Sequence, residues 1–140
     1  MSADRVFLDT NVVVYAASRS GIEDSKRRRA LEILELEKFA TSVQVLQEFF
    51  VTVTRKSKTP ISAEQALDWI EQLLVFPCYA IDDRLVKVAI EMAARYSISY
   101  WDAAILAAAD ALQCKTVYSE DLNNGQTYGR VRVVNPFLVH

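Results

Sequence analysis

The sequence predicts an α/β fold, a three-layer α/β/α sandwich around a central, mainly parallel sheet of about five short strands. Short segments rich in β-branched and aromatic residues alternate with longer segments in which apolar residues recur at helical spacing. This alternation is typical of parallel sheets that are covered by helices on both faces. No repeat, low-complexity run or linker rich in proline and glycine interrupts the 140 residues. We therefore expect residues 1–140 to form one domain.

The strand candidates are short and carry β-branched or aromatic side chains. They are residues 6–8, 39–41, 79–81, 116–118 and 131–134. Helices are predicted where apolar residues recur at steps of three and four. These segments are residues 25–36, 42–54, 62–76, a run that begins at Asp82 or Asp83, and 100–112. Ser62, with Gln65 three positions on, resembles a capping box that begins the third of them.

Composition favours a packed globular protein, because 51% of the residues are hydrophobic and 24% are charged. No apolar run approaches the ~20 residues that a membrane span requires, and the first residues lack the layout of a signal peptide. We therefore expect a cytoplasmic protein that does not contact a membrane. The two cysteines, Cys78 and Cys114, stand in apolar surroundings without metal-ligand spacing and are expected to be reduced core residues.

Several kinds of active site are excluded by the residues that are missing. The three glycines form neither a dinucleotide-binding turn nor a phosphate-binding loop. The only histidine, His140, is the last residue, which argues against a serine or cysteine triad and against a zinc helix. If the protein is an enzyme, carboxylates must carry its chemistry. The formal net charge of −2 means that any RNA contact must come from local basic patches or from metal ions.

Four carboxylates are candidates, and each has a structural alternative. Asp9 and Asp121 follow predicted strands, at the sheet edge where ligands bind in open α/β sheets. Asp9 is equally typical of a helix cap, and Asp121 of a turn. Asp102 stands three residues after Ser99, in the pattern of a capping box. Glu48 lies off the main apolar stripe of its helix, which favours a solvated side chain.

Four short segments together resemble the acidic motifs of the PIN-domain family, in particular of the VapC toxins of bacterial toxin–antitoxin pairs. They are FLDTN at residues 7–11, VLQEF at 45–49, YWDAAI at 100–105 and YSED at 118–121. The resemblance covers essentially the whole chain and preserves the order and approximate spacing of the motifs. One motif alone would be unspecific, whereas four in order are a strong signal.

The resemblance implies a metal-dependent endoribonuclease, the toxin of a type II toxin–antitoxin system. Asp9, Glu48, Asp102 and Asp121 would be its catalytic, metal-binding carboxylates. Mg²⁺ is the expected cofactor, with Mn²⁺ as an alternative, because Mg²⁺ prefers oxygen ligands and binds through carboxylates together with substrate phosphates. The implied partners are an RNA substrate, a cognate antitoxin protein and a second copy of the chain in a homodimer. The expected products carry 5′-phosphate and 3′-hydroxyl ends.

The polar neighbours of the acids have implied roles as well. Thr10, Asn11 and Ser119 match family positions that support the acids by hydrogen bonding, although local capping explains Thr10 equally well. Many relatives carry a further acid shortly after the fourth, where this chain has Asn123 and Asn124. Because an amide carries no charge, we expect a second metal to bind weakly or only together with substrate phosphate.

Two basic runs, residues 26–29 and 55–58, are candidates for RNA contact. The residues proposed to bind RNA phosphates are Arg27, Arg28, Arg55 and Lys56. A charge run is more often a solvated helix face, and that alternative stays open for both runs. The large aromatic residues are expected to be core or interface residues more often than platforms for bases. They are Tyr15, Trp69 and Trp101.

Two other functions compete with the nuclease. A haloacid dehalogenase-like phosphatase also begins with a strand that ends in aspartate, but it needs a second aspartate two residues later, where this chain has Asn11. A catalytically inactive PIN-like module could bind RNA or protein while retaining the fold. Metal-dependent cleavage of a mixed RNA pool separates these possibilities.

Overall fold

A computed structural model describes residues 5–18 and 24–138 and shows an α/β architecture with six strands in its described part. Every strand joins one sheet, as the fold prediction requires. The strands are β1 (Val6–Leu8), β2 (Phe39–Ser42), β3 (Cys78–Tyr79), β4 (Thr116–Tyr118), β5 (Thr127–Tyr128) and β6 (Val131–Val134). The predicted α/β class with a central, mainly parallel sheet is therefore confirmed.

Helices connect the strands and flank the sheet. They are α1 (Thr10–Ala17), α2 (Asp24–Leu36), α3 (Val43–Val51), α4 (Ala63–Leu73), α5 (Asp83–Tyr96) and α6 (Tyr100–Ala111). A π-helical turn over Thr52–Lys56 continues α3. Side-chain caps decide where several helices begin, because they satisfy backbone N–H groups that the first turn leaves free. The predicted capping box is complete at α4, where Ser62 and Gln65 bond each other's backbone.

The strand order is β3-β2-β1-β4-β6-β5, and only β5 is antiparallel to its neighbour. β1 lies in the middle and pairs in parallel with both β2 and β4. The chain proceeds from β1 to β2 and β3 on one side, and β4 to β6 lie on the other, so the order reverses at β1. Leu8 pairs with Tyr118, which brings the residues that follow β1 and β4 to one edge of the sheet. Ligands bind at such an edge in open α/β sheets.

The core holds this edge rigidly. All three residues of β1 are buried, and residues 103–109 of α6 form an unbroken buried run. α6 packs against β2, β4 and β6, while α5 packs against α6. A helix that is apolar on all sides must be covered on all sides, which explains why α6 lies between the sheet and α5. Among the other helices, α1 packs against both α2 and α3.

Some element boundaries differ from the sequence prediction. The third strand is Cys78–Tyr79 and not residues 79–81, because the chain leaves the sheet to reach the Asp82 cap of α5. The predicted helix over residues 42–54 changes to π-helical geometry after Val51, and the helix predicted to residue 76 ends at Leu73. The ends of these strands and helices depend on tertiary packing, about which the local periodicity of the sequence carries no information.

Two elements were missed. α1 has only eight residues, and the sequence analysis treated its start as a cap or turn around Asp9. β5 has two residues and forms the antiparallel edge of the sheet, between Gly125 and Gly129, which both have positive φ. Elements this short bury few apolar side chains, so their periodicity is too weak to detect.

The other global expectations concern the membrane and the cysteines. No helix in the described part of the chain is long and apolar enough to cross a membrane. Both cysteines are free thiols, with Cys114 buried and Cys78 half-buried, as predicted.

Candidate active site at the carboxyl edge of the sheet

Asp9 lies directly after β1 and is almost completely buried, with 5% of its surface exposed. One carboxylate oxygen accepts a hydrogen bond from the backbone of Thr10 at 2.7 Å, and the other accepts one from the Ser119 hydroxyl at 2.7 Å. An N-cap usually accepts from the second or third residue of its helix, but Asp9 bonds the first. The residue therefore stands at the cap position of α1 without making the usual cap bond.

Glu48 is half-buried on α3, which does not support the solvated alternative. One of its oxygens accepts from the Thr10 hydroxyl at 2.6 Å, and the other accepts from the Gln44 amide at 3.3 Å. Gln44 also donates to the backbone carbonyl of Trp101 at 3.2 Å and so joins α3 to the first turn of α6. The sequence analysis missed Gln44, although its position four residues before Glu48 places it on the same helix face.

Asp121 follows β4 and is exposed. Its carboxylate accepts a hydrogen bond from the Asn11 side chain at 3.1 Å, and its backbone N–H donates to the Ser119 hydroxyl at 3.1 Å. Since Ser119 also donates to Asp9, one fully buried hydroxyl links the segments after β1 and β4. The three supporting residues of the prediction, Thr10, Asn11 and Ser119, thus each contact one of the four acids.

Asp102 occupies the first turn of α6 and is half-buried. The cap of this helix is Ser99, whose hydroxyl accepts from the Asp102 backbone at 3.1 Å. At α4, the Gln65 side chain completes the capping box by bonding the Ser62 backbone. Among the described contacts, the Asp102 side chain makes no such bond to the Ser99 backbone. The Asp102 carboxylate instead accepts a hydrogen bond from the side chain of Ser99, the capping residue.

The four acids influence one another electrostatically. Burial raises the pKa of Asp9 from 3.8 to about 6, against hydrogen bonds from Ser119 and Thr10 that lower it, and the charges of Asp121 and Glu48 raise it further. Burial is also the main cause of the raised pKa of Asp102, a hydrogen bond from the Ser99 side chain opposes the rise, and the same two charges add to it. Within residues 5–18 and 24–138, none of the four acids forms an ion pair with a basic side chain.

The donor set suits a hard cation, although it does not form a closed cage. Carboxylate oxygens are the ligands that Mg²⁺ prefers, and a cation would relieve the mutual repulsion of the acids. However, no group of three or more acidic, histidine or cysteine side chains in the described part of the chain is arranged to hold one ion. Mg²⁺ usually keeps several waters and takes only one or two carboxylates directly. The residues therefore fit a water-rich magnesium site, with the other acids acting through water.

A second cluster, which the sequence analysis missed, lies beside the acids. Glu120 accepts hydrogen bonds from the Tyr15 hydroxyl and from the Lys26 amine, the latter at 3.0 Å. The Lys26 amine also lies 5.0 Å from the centre of the Tyr15 ring. The backbone N–H of Glu120 donates a hydrogen bond to the side-chain oxygen of Asn11 at 3.4 Å. This cluster fixes the segment after β4 to α1 and α2.

The proposed RNA-binding residues fall into two groups. Lys56 lines a groove of about 580 Å³ that is also lined by Glu48 and Asp121. The other three are exposed but do not line this groove. They are Arg27, Arg28 and Arg55.

The two amides that replace a further acid take part in loop structure. The Asn123 side chain donates to Gln126 at 2.8 Å, and the Asn124 side chain accepts from the backbone of Asn135 at 2.8 Å.

The aromatic residues differ from expectation in one case. Tyr15 and Trp69 are half-buried against the core, as predicted. Trp101 is 63% exposed and so is not a core residue, while the interface alternative for it stays a prediction. The buried stripe of α6 begins only at Ala103, which leaves Trp101 outside it.

Comparisons with known proteins agree with this architecture. Residues 6–128 match the profile of the PIN domain, whereas a sequence comparison with curated proteins gave no significant match. One similar solved structure is Mycobacterium tuberculosis VapC20, a toxin that cleaves the sarcin–ricin loop, with 21% identity, a TM-score of 0.68 and coverage of 83% of this chain and 89% of that chain.

Two further structures cover nearly all of both chains. A toxin–antitoxin complex from Klebsiella pneumoniae has 20% identity and a TM-score of 0.70, covering 96% of this chain and 99% of that chain. FitAcB from Neisseria gonorrhoeae has 19% identity and a TM-score of 0.65, with the same coverage. At these identities the structures show a shared fold. The family profile spans most of the sequence, and the chain belongs to the PIN-domain family.

Proposed function

We propose that this protein is a Mg²⁺-dependent endoribonuclease and the toxin of a type II toxin–antitoxin system. The observation that carries the proposal is the acid cluster at the carboxyl edge of the sheet. Asp9, Glu48, Asp102 and Asp121 come from separate segments, are coupled electrostatically and have no basic partner among the described residues. A structural role alone would not require unpaired acids to face one another, because their repulsion costs stability.

Different residues of the chain would have different roles in binding the metal and the substrate. Asp9, which is buried, and Asp102, which is half-buried, would hold the magnesium, and Glu48 and Asp121 would orient its waters. Thr10, Asn11 and Ser119 would keep the carboxylates in place through the hydrogen bonds described above. Bound magnesium supplies an activated water for attack on phosphorus and neutralises charge on the leaving oxygen. Mn²⁺ would serve in the same site. Lys56 would contact a substrate phosphate in the adjoining groove.

The substrate and partners follow from the relatives. VapC20 is a toxin that cleaves the sarcin–ricin loop, and the similar structure from Klebsiella pneumoniae is a complex of toxin and antitoxin. We therefore assign RNA as the substrate, products with 5′-phosphate and 3′-hydroxyl ends, and a cognate antitoxin as the inhibitor, all in the cytoplasm. The same proposal includes a homodimer, which a monomer in light scattering at micromolar concentration would contradict.

A cleavage assay tests the proposal directly. We expect the protein to cut a mixed RNA pool with Mg²⁺, to stop when the metal is chelated, and to resume when Mg²⁺ is restored. Asp9→Asn and Asp102→Asn should each reduce cleavage at least about 100-fold, because each deletes a charge that metal binding requires. The matched control is Asp68→Asn, which makes the same change on the exposed surface of α4.

The alternatives predict different outcomes of this assay. An inactive PIN-like module would bind RNA without cutting it under any metal condition. Membership of the PIN-domain family leaves the phosphatase alternative without support. In addition, the position of its second aspartate is held by Asn11, which bonds Asp121 and the backbone of Glu120.

A further inference from the structure

Trp101 presents an unusual surface next to the acid cluster. Its side chain is 63% exposed, whereas tryptophan is on average highly buried in folded proteins. It directly precedes Asp102 in the first turn of α6, so the two Cα atoms are about 3.8 Å apart. Trp101 therefore presents a large, flat apolar side chain on the same turn of α6 that carries Asp102.

The position of Trp101 is fixed from two sides. Its ring meets the Tyr100 ring edge-on, with 5.1 Å between the centroids and 84° between the planes. Its backbone carbonyl accepts the Gln44 amide, whose other bond goes to Glu48. The residue is thus tied to the same polar network as the acids. Because tryptophan has only two side-chain torsions, its ring loses little conformational freedom when a ligand stacks on it.

We propose that Trp101 is the platform on which an unpaired nucleobase of the RNA substrate stacks next to the cleaved phosphate. This inference rests on the proposed ribonuclease function and adds a substrate requirement to it. A base inside a duplex is stacked on its neighbours and cannot cover the indole, so the enzyme would need a single-stranded or looped RNA at this position. Stacking tolerates every base, because each has a π-face, so Trp101 would select for strandedness more than for sequence.

The chain offers a convenient reporter. It contains two tryptophans, and Trp69 is half-buried on α4, so Trp69→Phe leaves Trp101 as the only indole. We expect the fluorescence of this variant to be quenched by a single-stranded oligoribonucleotide in metal-free buffer. A duplex of the same sequence at matched ionic strength should quench it much less.

Kinetics on cleavable RNA provide the second test. Trp101→Ala should lower kcat/KM for single-stranded RNA about tenfold, which is within the range that loss of one stacked base produces. Trp101→Phe, which keeps a π-face, should retain activity within about threefold. Trp69→Phe is the matched control and should cleave like the unmodified protein.

The outcomes separate this inference from the proposed function. If Trp101→Ala cleaves single-stranded RNA as well as the unmodified protein, the platform is refuted while the nuclease stands. If the unmodified protein never cleaves but single-stranded RNA still quenches Trp101 selectively, the nuclease fails and the base platform is supported. If acrylamide cannot quench Trp101 in the free protein, a second copy covers the indole and the inference is overturned.

Discussion

At the scale of one residue, Asp9 combines the cap position of α1 with the buried environment of a proposed catalytic acid. Both carboxylate oxygens are held, one by the backbone of Thr10 and the other by the Ser119 hydroxyl. Hydrogen bonds of this kind favour the charged form, but burial outweighs them and the pKa rises to about 6. The folded, metal-free protein therefore holds a proton on Asp9 more tightly than an unfolded chain would.

The stability of the metal-free protein should depend on this proton. Between about pH 4 and pH 6 the unfolded chain has released the Asp9 proton while the folded chain retains it, so ionisation of Asp9 lowers the free energy of unfolding as the pH rises. Asp9→Asn removes this effect. We expect the variant to be more stable than the unmodified protein at pH 7.5, by on the order of 1–3 kcal/mol, and the difference to shrink towards pH 4.

Urea denaturation in the presence of a chelator measures both stabilities. Asp68→Asn, which makes the same substitution on the exposed surface of α4, serves as the control. Mg²⁺ at pH 7.5 should stabilise the unmodified protein but not Asp9→Asn, because binding to the folded state raises its stability. A variant that is less stable at every pH would indicate that Asp9 has only a structural role.

Substitutions of Ser99 and Asp102, on the same helix turn, test the capping role and the proposed catalytic role separately. Ser99 makes the cap bond of α6, and the Asp102 carboxylate contacts the Ser99 side chain without completing a capping box in the described part of the chain. We expect Ser99→Ala to lower the free energy of unfolding by about 1 kcal/mol while keeping most cleavage. Asp102→Asn should do the reverse, with a stability change below about 1 kcal/mol and loss of most cleavage. Thermal melting and RNA cleavage on the same samples decide between the two roles, and an active Asp102→Asn would remove that residue from the site.

At the scale of elements, the π-helical turn carries Lys56, one of the proposed RNA-binding residues. An α-helix would have continued regularly from α3, but the turn over Thr52–Lys56 widens the backbone and is a feature often found at functional sites. Lys56 at its end lines the groove next to Glu48 and Asp121. One basic residue of the run at 55–58, Lys56, therefore lines the groove. The sequence pattern of the run could not distinguish it from the others.

Lys56→Ala should weaken the binding of single-stranded RNA and reduce the slope of log affinity against log salt concentration by about 0.7, the value for one phosphate contact. Lys58→Ala is the matched control, because Lys58 is exposed two residues on and does not line the groove. A salt titration of binding by fluorescence anisotropy measures both slopes. Equal slopes for the two variants would show that Lys56 contributes only its general charge.

At the scale of the whole molecule, the acid cluster predicts how an antitoxin would inhibit. The protein carries a net charge of −2, and its site is lined with carboxylates without basic partners in the described part of the chain. A basic side chain, and an arginine in particular, would bind there, because guanidinium presents paired donors and stays charged at any working pH. We expect an antitoxin tail to place an arginine among the four acids in competition with the metal.

Antitoxin binding should then weaken as the Mg²⁺ concentration rises, beyond the loss that ionic strength alone causes. The control is a parallel titration in which a monovalent salt at matched ionic strength replaces magnesium. Equal affinities in the two series would show that the antitoxin inhibits at another surface.

The sequence by itself determined the α/β class, three of the five predicted strands with their bounds, and the capping box of α4. These features depend on residues within a few positions of each other, where propensity, periodicity and capping act. It could nominate Asp9, Glu48, Asp102 and Asp121 only through the family resemblance, because each acid alone is also typical of a cap, a turn or a solvated face.

The tertiary structure decided which of these groups meet. Thr10 bonds Glu48 across 38 positions and Ser119 bonds Asp9 across 110, contacts that exist because β1 lies between β2 and β4 in the sheet. The tertiary structure also leaves Trp101 exposed and places Lys56 in the groove. Local patterns in a chain carry little information about strand order, and strand order sets the distances between segments that are far apart in sequence.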